Sequence, residues 1–248
     1  KRLSNQGGLP YPPAISVNSG IVHAAWVDYG ETIDGELYYS RSLDGGVTWE
    51  QRRILIDDAN SARYPLLVCK NDHVYLIWQD VENKTYFKAS HDKGLTWIKE
   101  TLLAKLGKHS CYCYPPAISV NRDEVSVAWT DVREGRGFRF RFKGIRLNRL
   151  SKKDMVAVST VSRRKSIDGG VTWGDEQVLV KTKVKKEAKD EIDNPAMLSD
   201  GSISYLFWLD KRNYKLGEIF YTSLDFEKER FPIDGKSLLP LARRSPKR

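Results

Sequence analysis

Short segments in which apolar and polar residues alternate recur along the chain. Val22, Ala24 and Trp26 stand two residues apart, and the same spacing returns at residues 74–78 and 125–129. A period of two predicts β-strands with one buried face. In four places a proline lies 13 residues before a Trp-x-Asp triplet, which indicates an internal repeat. The four pairs are Pro13 and Trp26, Pro65 and Trp78, Pro116 and Trp129, and Pro195 and Trp208.

Each repeat contains four predicted strands. The proline opens strand one, a polar turn follows, and the Trp-x-Asp triplet ends strand two. Strand three covers residues 36–42, 85–90 and 218–223 in repeats one, two and four, and it ends at Ser166 in repeat three. Strand four covers residues 52–56, 100–104, 177–181 and 236–241. We therefore predict one all-β domain over residues 1–248, with repeats at about 11–56, 63–104, 114–182 and 193–241.

A turn motif separates strands three and four. It reads SLDGGVTW at residues 42–49, SHDKGLTW at 90–97 and SIDGGVTW at 166–173, and residues 223–225 look like a worn fourth copy. Ser and Asp side chains accept hydrogen bonds from the backbone of tight turns, and Gly supplies a positive φ. We assign a structural role to Ser42, Asp44, Gly46, Trp49, Ser90, Asp92, Gly94, Trp97, Ser166, Asp168, Gly170 and Trp173.

This motif resembles the Asp-box, or BNR repeat, of the sialidase superfamily. The resemblance implies a β-propeller of four-stranded antiparallel blades, with an Asp-box between the third and fourth strand of a blade. Sialidases have six blades, whereas four repeats are visible in this chain. The chain is therefore either a four-bladed ring or part of a larger propeller.

Positive charge is concentrated in one stretch of the third repeat. The net charge of the chain is +9, and residues 133–165 contain 12 Lys or Arg against two acidic residues. The rest of the chain is close to neutral, which argues against a general nucleic-acid-binding surface. We treat residues 133–165 as a basic insertion that either binds a polyanion or is a solvated excursion.

The loops at one face of the predicted propeller collect the candidate site residues. Strand 1–2 turns and Asp-boxes share one face, so strand 2–3 loops and connections between blades share the other. Asp28 and Asp80, which belong to Trp-x-Asp triplets, are candidate acid/base residues. Asp131 and Asp210 are their equivalents, so the favoured interpretation is that all four carboxylates cap or pin their loops.

The resemblance also implies a binding role for arginine. Sialidases carry a Phe-Arg-Ile-Pro motif whose Arg grips the sialic acid carboxylate, and residues 62–65, ARYP, are similar. Arg63 is thus a candidate substrate-binding residue, supplemented by Arg133 and Arg212 in Trp-x-Asp-x-Arg. Tyr11 and Tyr114 are the central tyrosines and are further candidate substrate-binding residues, but neither matches the nucleophile motif of the family.

The remaining sequence features do not indicate a specific chemistry. Cys69, Cys111 and Cys113 form no disulfide framework, and the four histidines have no metal spacing, so we predict no cofactor and no metal. No apolar run approaches the ~18 residues of a membrane span. The resemblance implies an extracellular or cell-surface protein, although no signal peptide opens the chain. Three functions stay open: a glycan-recognition module for acidic sugars, an active exo-sialidase-type glycoside hydrolase, and a protein-interaction scaffold.

Overall fold

Fifteen β-strands form four antiparallel sheets in the described part of the chain. The computed structural model describes residues 2–4, 8, 10, 13–29, 35–56, 62–107, 115–134, 156–185, 192–200, 203–211 and 218–224. The first sheet contains β1 (Ala14–Asn18), β2 (Ile21–Asp28), β3 (Glu36–Ser42) and β4 (Arg53–Ile56). The second contains β5 (Arg63–Lys70), β6 (His73–Gln79), β7 (Lys84–Ser90) and β8 (Thr101–Lys105). The third contains β9 (Ala117–Asn121), β10 (Glu124–Glu134), β11 (Val156–Ser166) and β12 (Gln177–Lys185). The fourth contains β13 (Ile192–Ser199), β14 (Ser204–Asp210) and β15 (Glu218–Leu224).

The strand order within each sheet follows the chain, as predicted for up-and-down blades. We call the sheets blades 1 to 4. Strand three of blade 1 has the predicted bounds, and most other strands differ by one or two residues. The predicted fourth strand of blade 4, residues 236–241, lies outside the described residues. The last ten residues of the basic insertion are strand rather than excursion, because β11 begins at Val156 and pairs with β10 from Ala157 to Ser166.

The Asp-box turns are held by their own side chains, in the same way in all three copies. In the third copy, Ser166 Oγ accepts the backbone N–H of Gly170 at 2.8 Å, and Asp168 accepts the backbone N–H of Thr172 at 2.9 Å. Hydrogen bonds from Thr172 and Ser166 lower the pKa of Asp168 to about 2. A carboxylate held ionised in this way suits a turn lock and does not suit a general acid at neutral pH.

Each Asp-box lies beside the turn between strands one and two of its own blade. The backbone N–H of Gly45 donates to Gly20 O at 3.1 Å, and that of Gly169 donates to Asp123 O at 2.7 Å. Lys93 makes the equivalent bond to Asp72 O, at 2.7 Å. The two kinds of turn therefore share one end of the molecule, and the strand 2–3 loops lie at the other end.

Neighbouring blades pack face to face in one repeated arrangement. We call the side of a blade that carries its Trp-x-Asp tryptophan the Trp face, and the opposite side the leading face. Tyr39 on the leading face of blade 1 belongs to the same buried cluster as Trp78 of blade 2. Phe87 and Trp129 belong to one cluster between blades 2 and 3, and Val161 and Trp208 to one between blades 3 and 4. The leading face of each blade thus covers the Trp face of the next.

The Asp-box tryptophan of one blade contacts an aromatic residue of the blade before it. Trp97 meets Tyr39 edge to face, with ring centroids 5.1 Å apart, and Trp173 meets Phe87 in the same way at 4.8 Å. The position of Tyr39 and Phe87 is occupied by Arg163 in blade 3 and by Tyr221 in blade 4, as the strand registers show. Arg163 is buried and donates to Gln177 Oε1 of its own blade from Nε and Nη2, so a charged side chain takes the place of the aromatic ring at this position.

The register also corrects the alignment of the worn fourth Asp-box. Ser42 pairs with Val22, and Ser166 pairs with Val125, whereas Leu224 occupies the equivalent place opposite Ser204. The residue at the motif's first position is therefore Leu224 and not Ser223. In blades 1 and 3 the aliphatic residue of this pair lies on strand two and the serine on strand three, whereas in blade 4 the serine lies on strand two and the leucine on strand three. Blade 4 thus keeps one serine and one aliphatic side chain in the pair but lacks the oxygen that locks the turn.

His23 makes the stability of blade 1 depend on pH. Its Nδ1 lies 2.7 Å from the Tyr39 hydroxyl, and burial, together with the nearby Arg41, lowers the pKa of His23 to about 4. Its ordinary value is 6.5, so the unfolded chain binds a proton at a pH where the folded chain does not. The resulting stability is complete above pH ~6.5 and is lost as the pH falls toward ~4.

We expect the free energy of unfolding to fall by about 2–3 kcal/mol between these two pH values, at ~1.4 kcal/mol per pKa unit. Urea unfolding at pH 7 and pH 4.5 measures the loss, with His23→Gln as the control because it cannot take up the proton. An equally steep pH dependence in His23→Gln would show that other groups cause it.

Candidate functional site

The four Trp-x-Asp carboxylates are buried at the face opposite the Asp-boxes. Asp80 shows how such a carboxylate is held. Its Oδ1 accepts the backbone N–H groups of Glu82 and Lys84 at 2.9 Å each, and its Oδ2 accepts the Tyr86 hydroxyl at 3.1 Å. All three donors belong to the β6–β7 loop or to the strand that follows it. This geometry is that of a loop pin, because a general acid needs a face open to its substrate.

The other three carboxylates are also used within the fold. Asp131 accepts the backbone N–H of Gly107 at 2.7 Å and so joins blade 3 to the end of blade 2. Asp28 lies against Gly8, where a Cβ atom would overlap its carboxylate, and it pairs with Pro10 in an isolated bridge. Asp210 is buried at the end of β14. The carboxylates of these triplets thus fasten segments that meet at this face.

Arg63 is different, because one donor of its guanidinium group has no hydrogen bond to the described residues. It begins β5, the innermost strand of blade 2, and is half-buried. Its Nε is buried and has no hydrogen-bond partner among the described residues. A buried donor on a charged group costs free energy unless an acceptor reaches it, so an anion at this position would be bound favourably.

The backbone beside Arg63 is strained. Tyr64, which precedes Pro65, has φ +50°, and the β5–β6 register shifts between Arg63 and Leu66. Non-glycine residues rarely adopt this region, and the resulting bulge changes the direction in which the neighbouring side chains point. Blade 4 repeats the feature at Asn194, where φ is also +50°.

Blade 3 extends farther than its neighbours at this face. Strands β10 and β11 have 11 residues each, whereas the equivalent strands β6, β7, β14 and β15 of the neighbouring blades have seven each. The pairing continues to Glu134 and Ala157, and Val156 pairs with Lys185 of β12. This extension of β10, β11 and β12 lies at the face that carries Arg63. The chain between β10 and β11 contains most of the basic residues of the insertion.

Comparisons with known proteins identify the architecture. No family model matches the sequence, and no curated protein matches it. Among solved structures, the chain is similar to the Hadza microbial sialidase Hz136, with a TM-score of 0.53 and 15% identity over 87% of this chain and 44% of that one. It is also similar to the Penicillium chrysogenum alpha-L-arabinanase complexed with arabinobiose, with a TM-score of 0.52 and 16% identity over 86% and 62% of the two chains. The phage phi92 endosialidase gives 0.53 and 10% over 88% and 36%.

The chain has the fold of the sialidase-like β-propellers. It spans between about a third and two thirds of the length of these three neighbours. The all-β class and the four-stranded antiparallel blades expected from the sequence are confirmed, and the number of blades in a closed ring stays a prediction.

Several of the candidate site residues named from the sequence lie outside the described residues. These are Tyr11, Tyr114 and Arg212, and the same holds for Cys111 and Cys113. The backbone of Arg133 is part of β10, close to the end of the strand at the face of Arg63. The convergence of Arg63, Arg133 and Arg212 therefore stays a prediction, as do the roles of Asp28 and Asp80.

Gln79 is a residue of this face that the sequence patterns did not single out. It is buried, pairs with Arg63 across β5 and β6, and its Nε2 lies 3.5 Å from Thr85 Oγ1. It occupies the middle position of a Trp-x-Asp triplet, where blade 1 has Val27. An amide at a repeat position that is apolar in blades 1 and 4 was the available signal.

The described residues contain no cluster of three or more His, Cys, Asp or Glu side chains able to hold a metal ion. No helix long and apolar enough to cross a membrane occurs among them either.

Proposed function

We propose that this propeller binds acidic sugars at the face opposite the Asp-boxes, with Arg63 as the partner of the sugar carboxylate. The observation that carries the proposal is the buried Nε of Arg63 without a hydrogen-bond partner in the described part of the chain. A guanidinium group binds a planar carboxylate through two parallel hydrogen bonds, which a half-buried position strengthens.

Two further observations support this location. Arg63 begins an innermost strand, and the pocket of a propeller lies where its innermost strands end. The neighbours of the same fold include a sialidase and an endosialidase, and an arabinanase complexed with arabinobiose. These names all refer to proteins that act on or bind carbohydrates, which agrees with a sugar ligand for this chain, and Arg63 favours an acidic sugar.

A binding role without catalysis fits the carboxylates better than hydrolysis does. Glycoside hydrolysis needs a carboxyl group that reaches the glycosidic oxygen. Asp80 is buried and occupied by three donors of its own loop, and Asp28 is buried against Gly8. We therefore propose a glycan-recognition module of extracellular or cell-surface origin.

The test is calorimetric titration with a sialyl-oligosaccharide, with arabinobiose as the neutral comparison and a fluorogenic sialoside as the probe of turnover. We expect binding of the sialyl compound, weaker or undetectable binding of arabinobiose, and no release of the fluorophore. Turnover would favour the exo-sialidase-type hydrolase. Neither binding nor turnover would contradict both sugar hypotheses and favour the protein-interaction scaffold.

The basic insertion provides a second, separate prediction. Residues 135–153 contain eight Lys or Arg and no acidic residue, so their deletion lowers the net charge from +9 to +1. We expect the deletion variant to elute from a heparin column at a clearly lower salt concentration than the native chain, because binding of a polyanion depends on salt through the number of charges paired.

A control variant neutralises three basic residues elsewhere, Lys93, Lys99 and Lys105. This variant should elute close to the native chain. Equal elution of all three proteins would mean that the insertion is a solvated excursion.

A further inference from the structure

Two blade faces remain without a neighbouring blade among the described residues. On the leading face of blade 4, Tyr221 is 44% exposed and Ile219 is 72% exposed, and Leu198 and Phe207 are exposed beside them. On the Trp face of blade 1, the exposed apolar residues are Ile15, Val17 and Ile54. Each face thus exposes several apolar side chains, and clusters of exposed apolar side chains mark sites of protein contact.

These faces are the two halves of one kind of interface. In all three contacts between blades, a leading face covers a Trp face. The leading face of blade 4 and the Trp face of blade 1 are the halves left over. These two faces are therefore of the same kinds as the faces that pack together in the three contacts between blades.

One residue on each face makes the match specific. Where an Asp-box carries a tryptophan, the blade before it supplies an aromatic ring at one position, as in Tyr39 with Trp97 and Phe87 with Trp173. Tyr221 of blade 4 occupies that position, stacked on Phe207 with ring centroids 5.6 Å apart. Trp49 of blade 1 is the Asp-box tryptophan without a preceding blade.

A groove on the Trp face of blade 1 is open to receive such a surface. It has a volume of about 550 Å³, and its lining combines the apolar and aromatic residues Leu3, Tyr38, Trp49 and Ile54 with the polar residues Arg2, Ser40, Glu50, Gln51 and Arg52. Trp49 packs there with Trp26 and Tyr38, as the Trp faces of the other blades pack in their interfaces. An aromatic side chain buried at an interface of this kind removes roughly 150–250 Å² from water.

We propose that two copies of this chain associate head to tail, with the leading face of blade 4 of one copy seated on the Trp face of blade 1 of the other. Tyr221 of the first copy then meets Trp49 of the second edge to face. The contact joins two different surfaces, so the assembly closes into a ring when the curvature allows it and otherwise extends.

The first test compares two charge substitutions by sedimentation velocity across a concentration series. Ile219→Glu places a carboxylate on the leading face of blade 4. Ile167→Glu places one at a residue that is also 72% exposed but lies in the third Asp-box turn. We expect the native chain and Ile167→Glu to self-associate equally, and Ile219→Glu to weaken the association about tenfold or more. A native chain that stays monomeric at all concentrations, or an equal loss in both variants, would overturn the proposal.

The second test identifies the contact itself. A photoreactive benzoylphenylalanine replaces Tyr221, an exposed position where the change leaves the core intact. Irradiation should give a product of twice the chain mass whose linked peptide comes from the blade 1 sequence around Trp49. A cross-link that keeps the mass of one chain would show that the arc closes on itself, and one to another blade would show a different interface. Either result would overturn the head-to-tail contact.

Discussion

Replacing Gly170 with alanine is expected to lower the free energy of unfolding by about 3 to 5 kcal/mol. Gly170 has φ +91°, a conformation that costs an alanine roughly 1–2 kcal/mol. In addition, a Cβ at this position would overlap the ring of Phe87 in the preceding blade. Phe87 is fully buried and cannot move aside, and such overpacking costs about 1–3 kcal/mol or more.

Gly46 is the matched control for this substitution. It has nearly the same φ, +97°, in the first Asp-box, but no atom lies within 4 Å of its hypothetical Cβ. Gly46→Ala should therefore show only the conformational cost, about 1–2 kcal/mol. Chemical denaturation of both variants separates the two effects. Equal losses would mean that the fifth residue of the turn motif, the second glycine, matters only for its backbone angle and not for contact between blades.

Arg63→Ala is expected to weaken binding of a sialyl-oligosaccharide by roughly 30-fold to several thousand-fold. Truncation leaves a partly desolvated carboxylate without its partner, which costs about 2–5 kcal/mol, and each 1.4 kcal/mol is about tenfold in Kd. The melting temperature should change little, because the described residues give Arg63 Nε no hydrogen bond that truncation would break. Calorimetric titration and thermal unfolding of the same preparation measure both quantities.

Arg63→Lys is the companion variant. It keeps the charge but lacks the planar fork, so we expect only partial recovery of affinity. Full recovery would show that charge alone matters, and unchanged binding in Arg63→Ala would move the sugar site elsewhere. A lowered melting temperature with unchanged affinity would make Arg63 a structural residue.

The blades could be predicted from sequence because their signals are local and repeated. Alternation around Trp26 and Trp78 locates strand two, and the turn motifs locate the start of strand four. Residues 36–42, predicted as strand three of blade 1, are the observed bounds of β3. Because the repeat occurs several times, the same strand can be compared between its copies, which locates the strand boundaries better than one copy alone.

The features that escaped prediction depend on pairing across strands. The register that places Leu224 at a serine position follows from β14 and β15 together, and neither strand reveals it alone. The start of β11 could not be placed from the sequence, because Arg163 and Arg164 break the apolar alternation that identifies β3 and β7. At the site, the half-buried state of Arg63 and the strain at Tyr64 arise from the bulge between Arg63 and Leu66, which cannot be predicted from the residue pattern.

The arginine at position 163 has a consequence for how the molecule comes apart. In a linear array of repeats, stability is approximately a sum of terms for each unit and each junction between neighbours. Two junctions are fastened by an aromatic pair, at Trp97 and Trp173, and the junction between blades 3 and 4 has no such pair in the described residues. Blade 4 is thus the unit that detaches at the lowest free energy. Amide hydrogens of β14 should exchange through this partial opening before those of β6, and the array would unzip from its carboxyl-terminal side.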